Sequence, residues 1–295
     1  DNITTTSTTD TLVTNMSITP GAGDYNVWFS SSLENSAASE MFVSIYQAST
    51  QAAHTEREVT QEESVPNTGI PVLTHAKLTS VGASDAIEAR WRTVSGTATM
   101  HERTLVVYKI TASDSTQASA TDDITTTSTT DTLVTNMTIT PGAGHYQVWF
   151  SSSVENSVVE DDDIFVSIYV NGTQVAQSER QWRSEASLQS PTASTAFPIF
   201  TNGAVGDLGD SQAIEIKWRK TGTGTATMHE RTLVVYKYSP NGGTFARAQD
   251  TKYDSPALEK NTIVRLRFLL SNEGDSDATG KTFQLQVAET ATCSS

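Results

Sequence analysis

Two triplets in this chain place a base, an acid and a cation side by side: His101-Glu102-Arg103 and His229-Glu230-Arg231. Such a set invites a proton-transfer reading. On an extended strand, however, successive side chains point to opposite faces, so Glu102 points away from His101 and Arg103 and the three groups do not converge. They are expected to be polar positions bordering a sheet or a subunit contact. The run Glu160-Asp161-Asp162-Asp163 supplies hard oxygen atoms of the kind that bind Ca²⁺, with Asp161, Asp162 and Asp163 as candidate ligands. It lacks the glycine and the closing glutamate of a calcium loop, and its other reading is a solvated acidic loop. Trp182 lies in Glu179-Arg180-Gln181-Trp182-Arg183. An indole flanked by guanidinium groups can hold a sugar ring or another flat ligand, which makes Arg180, Trp182 and Arg183 candidate binding residues. Cys293 is the only cysteine, so no internal disulfide can form; it could crosslink subunits or stay an inert terminal thiol. No Ser-His-Asp spacing, Cys/His metal cluster or phosphate-cradling glycine loop is present. The chain is therefore expected to be no enzyme and to carry no cofactor.

Most of the chain is stated twice. Ile3-Thr4-Thr5-Thr6-Ser7-Thr8-Thr9-Asp10-Thr11-Leu12-Val13-Thr14-Asn15-Met16 returns as Ile124 to Met137, and Gly96-Thr97-Ala98-Thr99-Met100-His101-Glu102-Arg103-Thr104-Leu105-Val106-Val107-Tyr108-Lys109 returns as Gly224 to Lys237. A tandem copy fixes the domain count before any other argument. The reading is repeat 1 over 1–110, a Ser/Thr/Ala/Asp-rich linker over 111–122, repeat 2 over 123–238, a short linker over 239–243, and a different module over 244–295. The offset between the copies grows from 121 to 128, so the ends are held and the middle drifts. The terminal strands are expected to carry the common packing, and the middle loops to face solvent or a partner. Four tryptophans, Trp28, Trp91, Trp149 and Trp218, fall at matching places in the two copies, which favours core or interface packing for them.

Within each copy the pattern has period two. Ile214, Ile216 and Trp218 alternate with Glu215, Lys217 and Arg219, as Ile87, Ala89 and Trp91 do with Glu88, Arg90 and Arg92. One face is dry and one wet, the mark of a half-buried strand. Short strands separated by Gly, Pro, Asn and Asp, with no amphipathic helix, point to an all-β sandwich or jelly roll. Val170-Asn171-Gly172-Thr173 reads as a tight hairpin, because Asn-Gly accepts positive φ at both central positions. Repeat 1 has Gln47-Ala48-Ser49 there, and Ala83-Ser84-Asp85 near the place of Gly209-Asp210, so its turns are expected to differ. In Leu105-Val106-Val107-Tyr108 and Leu233-Val234-Val235-Tyr236 both alternating faces are apolar. Val106, Tyr108, Val234 and Tyr236 are therefore expected to pack on a neighbouring subunit, the other reading being a strand covered by its own chain.

The formal net charge of -15 argues against nucleic acid and against anionic membrane surfaces, and no apolar run is long enough to span a bilayer. Ser and Thr make up about a quarter of the residues and Lys is scarce, a composition suited to an extracellular or virion surface. The sequence starts at Asp1 without Met, as a processed product or a piece of a longer chain would.

The order of these motifs resembles the tumour necrosis factor-like jelly roll, and its complement globular-head branch more closely. The residues that carry the likeness are Gly144-His145-Tyr146-Gln147-Val148-Trp149-Phe150, Val166-Ser167-Ile168-Tyr169-Val170-Asn171-Gly172, Gly209-Asp210 before Ile214 to Trp218, and Arg231-Thr232-Leu233-Val234-Val235-Tyr236-Lys237. The resemblance implies trimers built around the terminal strands. Residues 244–295, with Val264-Arg265-Leu266-Arg267-Phe268 and Phe283-Gln284-Leu285-Gln286, look like an immunoglobulin-like module of phage structural and bacterial surface proteins. The fragment offers too few strands for a closed sandwich, so it is expected to be a partial one. The functional expectation is a non-catalytic, self-associating subunit (a trimer or filament) of a virion fibre, decoration or extracellular filament. The runner-up is a cell-surface adhesin or lectin that binds a host glycan or protein through the middle loops.

Overall fold

The computed structural model describes residues 1–61, 69–157, 162–183 and 196–238. All lie in the first of the chain's two compact units, Asp1–Gly243; the second is Thr244–Ser295. The partial-sandwich reading of 244–295, Cys293 and Asp161 lie outside the described residues.

Repeat 1 contains β1 (Ile3–Thr5), β2 (Thr11–Ile18), β3 (Gly23–Asn35), β4 (Ser39–Gln47), β5 (Thr50–Gln51), β6 (Arg57–Gln61), β7 (Ile70–Val81), β8 (Ile87–Thr93), β9 (Ala98–Met100) and β10 (Thr104–Ile110). A 3-10 turn, Ala112–Asp114, and β11 (Ser115–Ala120) lead into repeat 2. Repeat 2 contains β12 (Ile124–Thr126), β13 (Thr132–Ile139), β14 (Gly144–Asn156), β15 (Asp163–Val170), β16 (Thr173–Gln174), β17 (Arg180–Arg183), β18 (Phe197–Leu208), β19 (Ile214–Lys220) and β20 (Ala226–Tyr238). Each repeat is a sandwich of two antiparallel sheets, all-β and jelly-roll-like. In repeat 1, β3 pairs with β7 on one side and with β9 and β10 on the other, while β2, β8, β4, β5 and β6 form the second sheet. Repeat 2 copies this with β14 between β18 and β20, opposite a sheet of β13, β19, β15, β16 and β17.

The period-two alternation is what builds these layers. Ile87, Ala89 and Trp91 are buried while Glu88, Arg90 and Arg92 are half-buried at the outer face, and β19 repeats the pattern. Phe29 and Phe150 sit fully buried at matching places in the two cores. Burying one such ring stabilises the fold by roughly 1.5–3 kcal/mol. On the outer face the guanidinium of Arg92 lies 4.0 Å from the Phe42 ring and bonds Asp10 and Glu56. Arg219 does the same with Phe165, Asp131 and Glu179.

Three expectations change. The hairpin of repeat 1 does not differ: Ala48 (φ 47) and Ser49 (φ 66) take the left-handed pair of Asn171 (φ 48) and Gly172 (φ 81). Pairing of Tyr46 with Gln51 and Gln47 with Thr50 imposes the turn that matches strand twist, and the two residues bear the strain. The second turn is also shared. Gly82 N–H donates to Asp85 Oδ2 and Asp85 N–H to the Gly82 carbonyl, as Gly209 and Gln212 do in repeat 2. The side chain three residues after the glycine closes both turns, so Gly82 is the counterpart of Gly209. Third, the segment 111–122, read as a linker, contains a strand. Residues 115–120 pair with β20 from Ser115↔Tyr236 to Ala120↔Arg231, through backbone hydrogen bonds that need no bulky side chain.

Candidate assembly interface

The outward faces of β3 and β14 carry the same row, Trp28-x-Ser30-x-Ser32 and Trp149-x-Ser151-x-Ser153, because the alternate residues are committed to the cores. In register beside them stand Val106 opposite Trp28 and Val234 opposite Trp149. This is where the two repeats meet within one chain. The Trp28 and Trp149 rings pack edge to face with centroids 4.9 Å apart, and Tyr108 meets Tyr236 at 5.9 Å.

Around these rings the contact is polar and dense. Arg57 is fully buried and donates from Nε to Ser151 Oγ at 3.1 Å, and from Nη2 to Ser151 O at 3.0 Å and Oγ at 2.8 Å. His75 Nδ1 lies 3.0 Å from the same hydroxyl. Glu58 N–H donates to Ser153 Oγ, which donates back to the Glu58 carbonyl. Glu56 N–H donates to Glu230 Oε2 at 3.0 Å, and the Thr232 hydroxyl donates to the His54 carbonyl. β11 is wedged alongside: Gln117 Oε1 accepts from Lys77 N–H, and Ser115 Oγ donates to Asn26 Oδ1.

Burial shapes the charges here. It pushes Arg57 down to about 10 against the opposing pull of Glu230 and Glu56. Burial and then the Arg57 charge push His75 down to about 3, so its ring is neutral. Burial pushes Glu58 up to about 7, with Glu40 and Glu155 adding to the shift and His229 opposing it. Burial works against charge on His229, but Glu155 and Asp123, with Glu58 across the contact, outweigh it and raise the ring to about 9.

The four candidate interface residues thus divide. Val234 is 1% exposed and Tyr236 is half-buried against Tyr108, both within the chain's own inter-repeat contact. Val106 and Tyr108 belong to the same sequence in repeat 1 and remain 46% and 50% exposed. The division of each repeat into packing ends and outward middle needs correction. Residues 54–61 and 75–77, from the drifting middle of repeat 1, grip repeat 2 and β11, since β6 and β7 lie at the edge nearest to them. The sequence reading missed Arg57, His75, Ser151 and Ser153. Their signal was Glu56-Arg57 kept as Glu179-Arg180 inside a segment that otherwise diverges, and hydroxyls alternating with core residues beside a tryptophan.

No family model and no curated protein matches the chain. Among solved structures it is similar to one of infectious bursal disease virus, Gt strain, at 11% identity and a TM-score of 0.28, over 80% of this chain and 72% of that one. It is similar to a triple jelly roll fold in an archaeal virus at 10% identity and a TM-score of 0.25, over 80% of this chain and 60% of that one. The tandem CBM22-1–CBM22-2 domain of Paenibacillus barcinonensis Xyn10C matches at 7% identity and a TM-score of 0.22, over 72% and 79% of the two chains.

The remaining candidates are placed as follows. Trp182 packs partly buried against the repeat 2 core, its ring 5.2 Å from that of Phe197. Arg180 and Trp182 share one face of β17 and Arg183 projects from the other, so the three do not form one platform. Asp162 is buried and held by Lys220 Nζ at 2.8 Å, by Gly224 N–H and by Asn156. The Lys220 hydrogen bond, with Gly224, outweighs burial and holds its carboxyl below the usual range. Asp163 accepts from Gln181 Nε2. Asp162 is thus one half of a buried ion pair, and Asp162 and Asp163 are turned to different partners. No group of three or more His, Cys, Asp or Glu among the described residues is placed to hold a metal ion. The His-Glu-Arg triplets disperse: His101 pairs with Glu34, and Arg103 turns to the Thr14 and Asp1 carbonyls. Among the described residues no helix is long and apolar enough to cross a membrane.

Proposed function

We propose that the chain is a non-catalytic structural subunit of a virion, assembling with itself into a fibre, surface decoration or filament through the outer face of its terminal strands. One observation carries this reading. The sequence Thr-Leu-Val-Val-Tyr occurs twice, covered by a neighbouring jelly roll at Thr232–Tyr236, whereas at Thr104–Tyr108 the Tyr108 ring alone meets Tyr236 and Val106 and Tyr108 stay 46% and 50% exposed. Val106 and Tyr108, beside the Trp28 that packs on Trp149, form an apolar strip of the composition that repeat 2 buries. An exposed strip of this kind marks a contact surface. The acidic, Lys-poor composition suits a virion surface or an extracellular site. Light scattering across a concentration range tests the reading. The expected result is a mass that is a multiple of one chain, reduced by Tyr108→Arg. A single-chain mass at every concentration would sink it.

A further inference from the structure

The contact between the repeats is one-sided. Repeat 1 brings Arg57 and His75 to Ser151 of repeat 2, the backbone of Glu58 to Ser153, the Glu56 N–H to Glu230, and the His54 carbonyl to the Thr232 hydroxyl. Were the repeats related by a two-fold axis, Arg180, the counterpart of Arg57, would reach Ser30, the counterpart of Ser151. It does not. Arg180 Nη1 donates to the Gln177 carbonyl at 2.9 Å and the Glu179 carbonyl at 2.8 Å, as Arg57 Nη1 does to His54 and Glu56. Its Nε and Nη2, which in Arg57 bind Ser151, have no partner among the described residues. The polar contact is heterologous, and each repeat keeps the polar groups of one half of it unused; the Trp28–Trp149 and Tyr108–Tyr236 ring pairs lie where the two halves adjoin.

Both unused halves are well made. Repeat 1 offers Ser30, Ser32, Glu102 and Thr104 beside Val106 and Tyr108, identical to the receiving set of repeat 2. Repeat 2 offers Arg180, with exposed Asn202 where repeat 1 has His75; its amide can bond a serine hydroxyl as the imidazole does. Gln181 stands for Glu58, whose two bonds to Ser153 are made by backbone atoms and survive the change. Ala204 stands for Lys77, whose bonds run to 112–117, outside either repeat.

We propose that the Arg180 face of repeat 2 in one copy docks on the Ser30–Tyr108 face of repeat 1 in a second copy, repeating between copies the contact that joins the repeats within one. This rests on the self-assembly reading and names the two surfaces that meet. A heterologous contact closes into a ring if its rotation divides a full turn, and otherwise gives a helical filament. With two rolls per copy, a ring holds an even number of rolls.

Sedimentation velocity of the full chain over a concentration series tests it. Arg180→Glu and Glu102→Arg should each weaken association at least tenfold, and the two together in one chain should restore it. Asn202→Arg, at an exposed position, blocks the same face without touching the core, and near-ultraviolet circular dichroism checks that each variant is folded. Association unchanged by Arg180→Glu and by Asn202→Arg overturns the docking mode and leaves self-assembly standing. Weakening that the double variant does not relieve overturns the mode as well. A wild-type chain that stays single at every concentration overturns both.

Discussion

Arg57→Ala separates the worth of the inter-repeat contact from the worth of an arginine in this turn. Arg57 and Arg180 sit at matching positions and make the same two bonds to their own turns. Only Arg57 adds three bonds to Ser151. Removing it leaves the buried Ser151 with His75 alone, and leaves the Glu230 carboxylate without its neighbouring charge, while Glu56 keeps Arg92. Breaking a buried charged contact from one side costs about 3–5 kcal/mol. At ~2–4 °C per kcal/mol for a unit of this size, the melting temperature should fall by roughly 10 °C. Arg180→Ala, whose hydrogen bonds among the described residues run to its own turn, should cost within about 1 kcal/mol. Thermal melts of the two variants, followed by tryptophan fluorescence, give the comparison, since the Trp28–Trp149 pair reports directly on the contact. Equal losses in the two variants would refute the assignment of Arg57 as the main fastening between the repeats.

Other outcomes follow from the same geometry. Ser49→Gly should raise stability by about 1 kcal/mol, because it removes a left-handed strain that Gly172 does not carry; denaturant titration checks it. Gly222→Ala should destabilise by ~3–5 kcal/mol, because a Cβ there would meet Asp162 Oδ1 at 1.4 Å and break the buried pair with Lys220, and calorimetry would register the drop. His75, pushed down to about 3, contributes stability that is full above the free histidine value near 6.5 and is lost as pH falls toward 3. Glu58, pushed up to about 7, contributes stability that is full below about 4.5 and is lost as pH rises through 7. Between about 4.5 and 6.5 the slopes of these two groups oppose each other, so stability should change less with pH in the wild type than in a chain lacking either one. It should fall with pH in His75→Asn and rise in Glu58→Gln; parallel profiles in all three chains would count against this pairing.

The strands were legible because burial dictates alternation, as Ile87-Glu88-Ala89-Arg90-Trp91 shows on one line of sequence. The apolar outer face of Leu233-Val234-Val235-Tyr236 was legible too, as a strand covered by its own chain, the second of the two readings. What covers it was not, because the covering groups, Arg57 and His75, come from residues far apart in the chain and look like ordinary polar positions. The Ala48-Ser49 turn escaped because flanking strand pairs can force a conformation that the two residues resist by themselves. The segment 115–120 escaped for the opposite reason: its pairing is made by the backbone and leaves no mark on side-chain composition.

β11 has one more effect. It occupies the edge of β20, whereas among the described residues β10 pairs only with β3 and leaves its far edge bare. An uncovered edge is a line of free N–H and C=O groups on which another extended segment can template itself. Within residues 1–238 the two repeats therefore differ at this edge: β20 is paired on both sides and β10 on one.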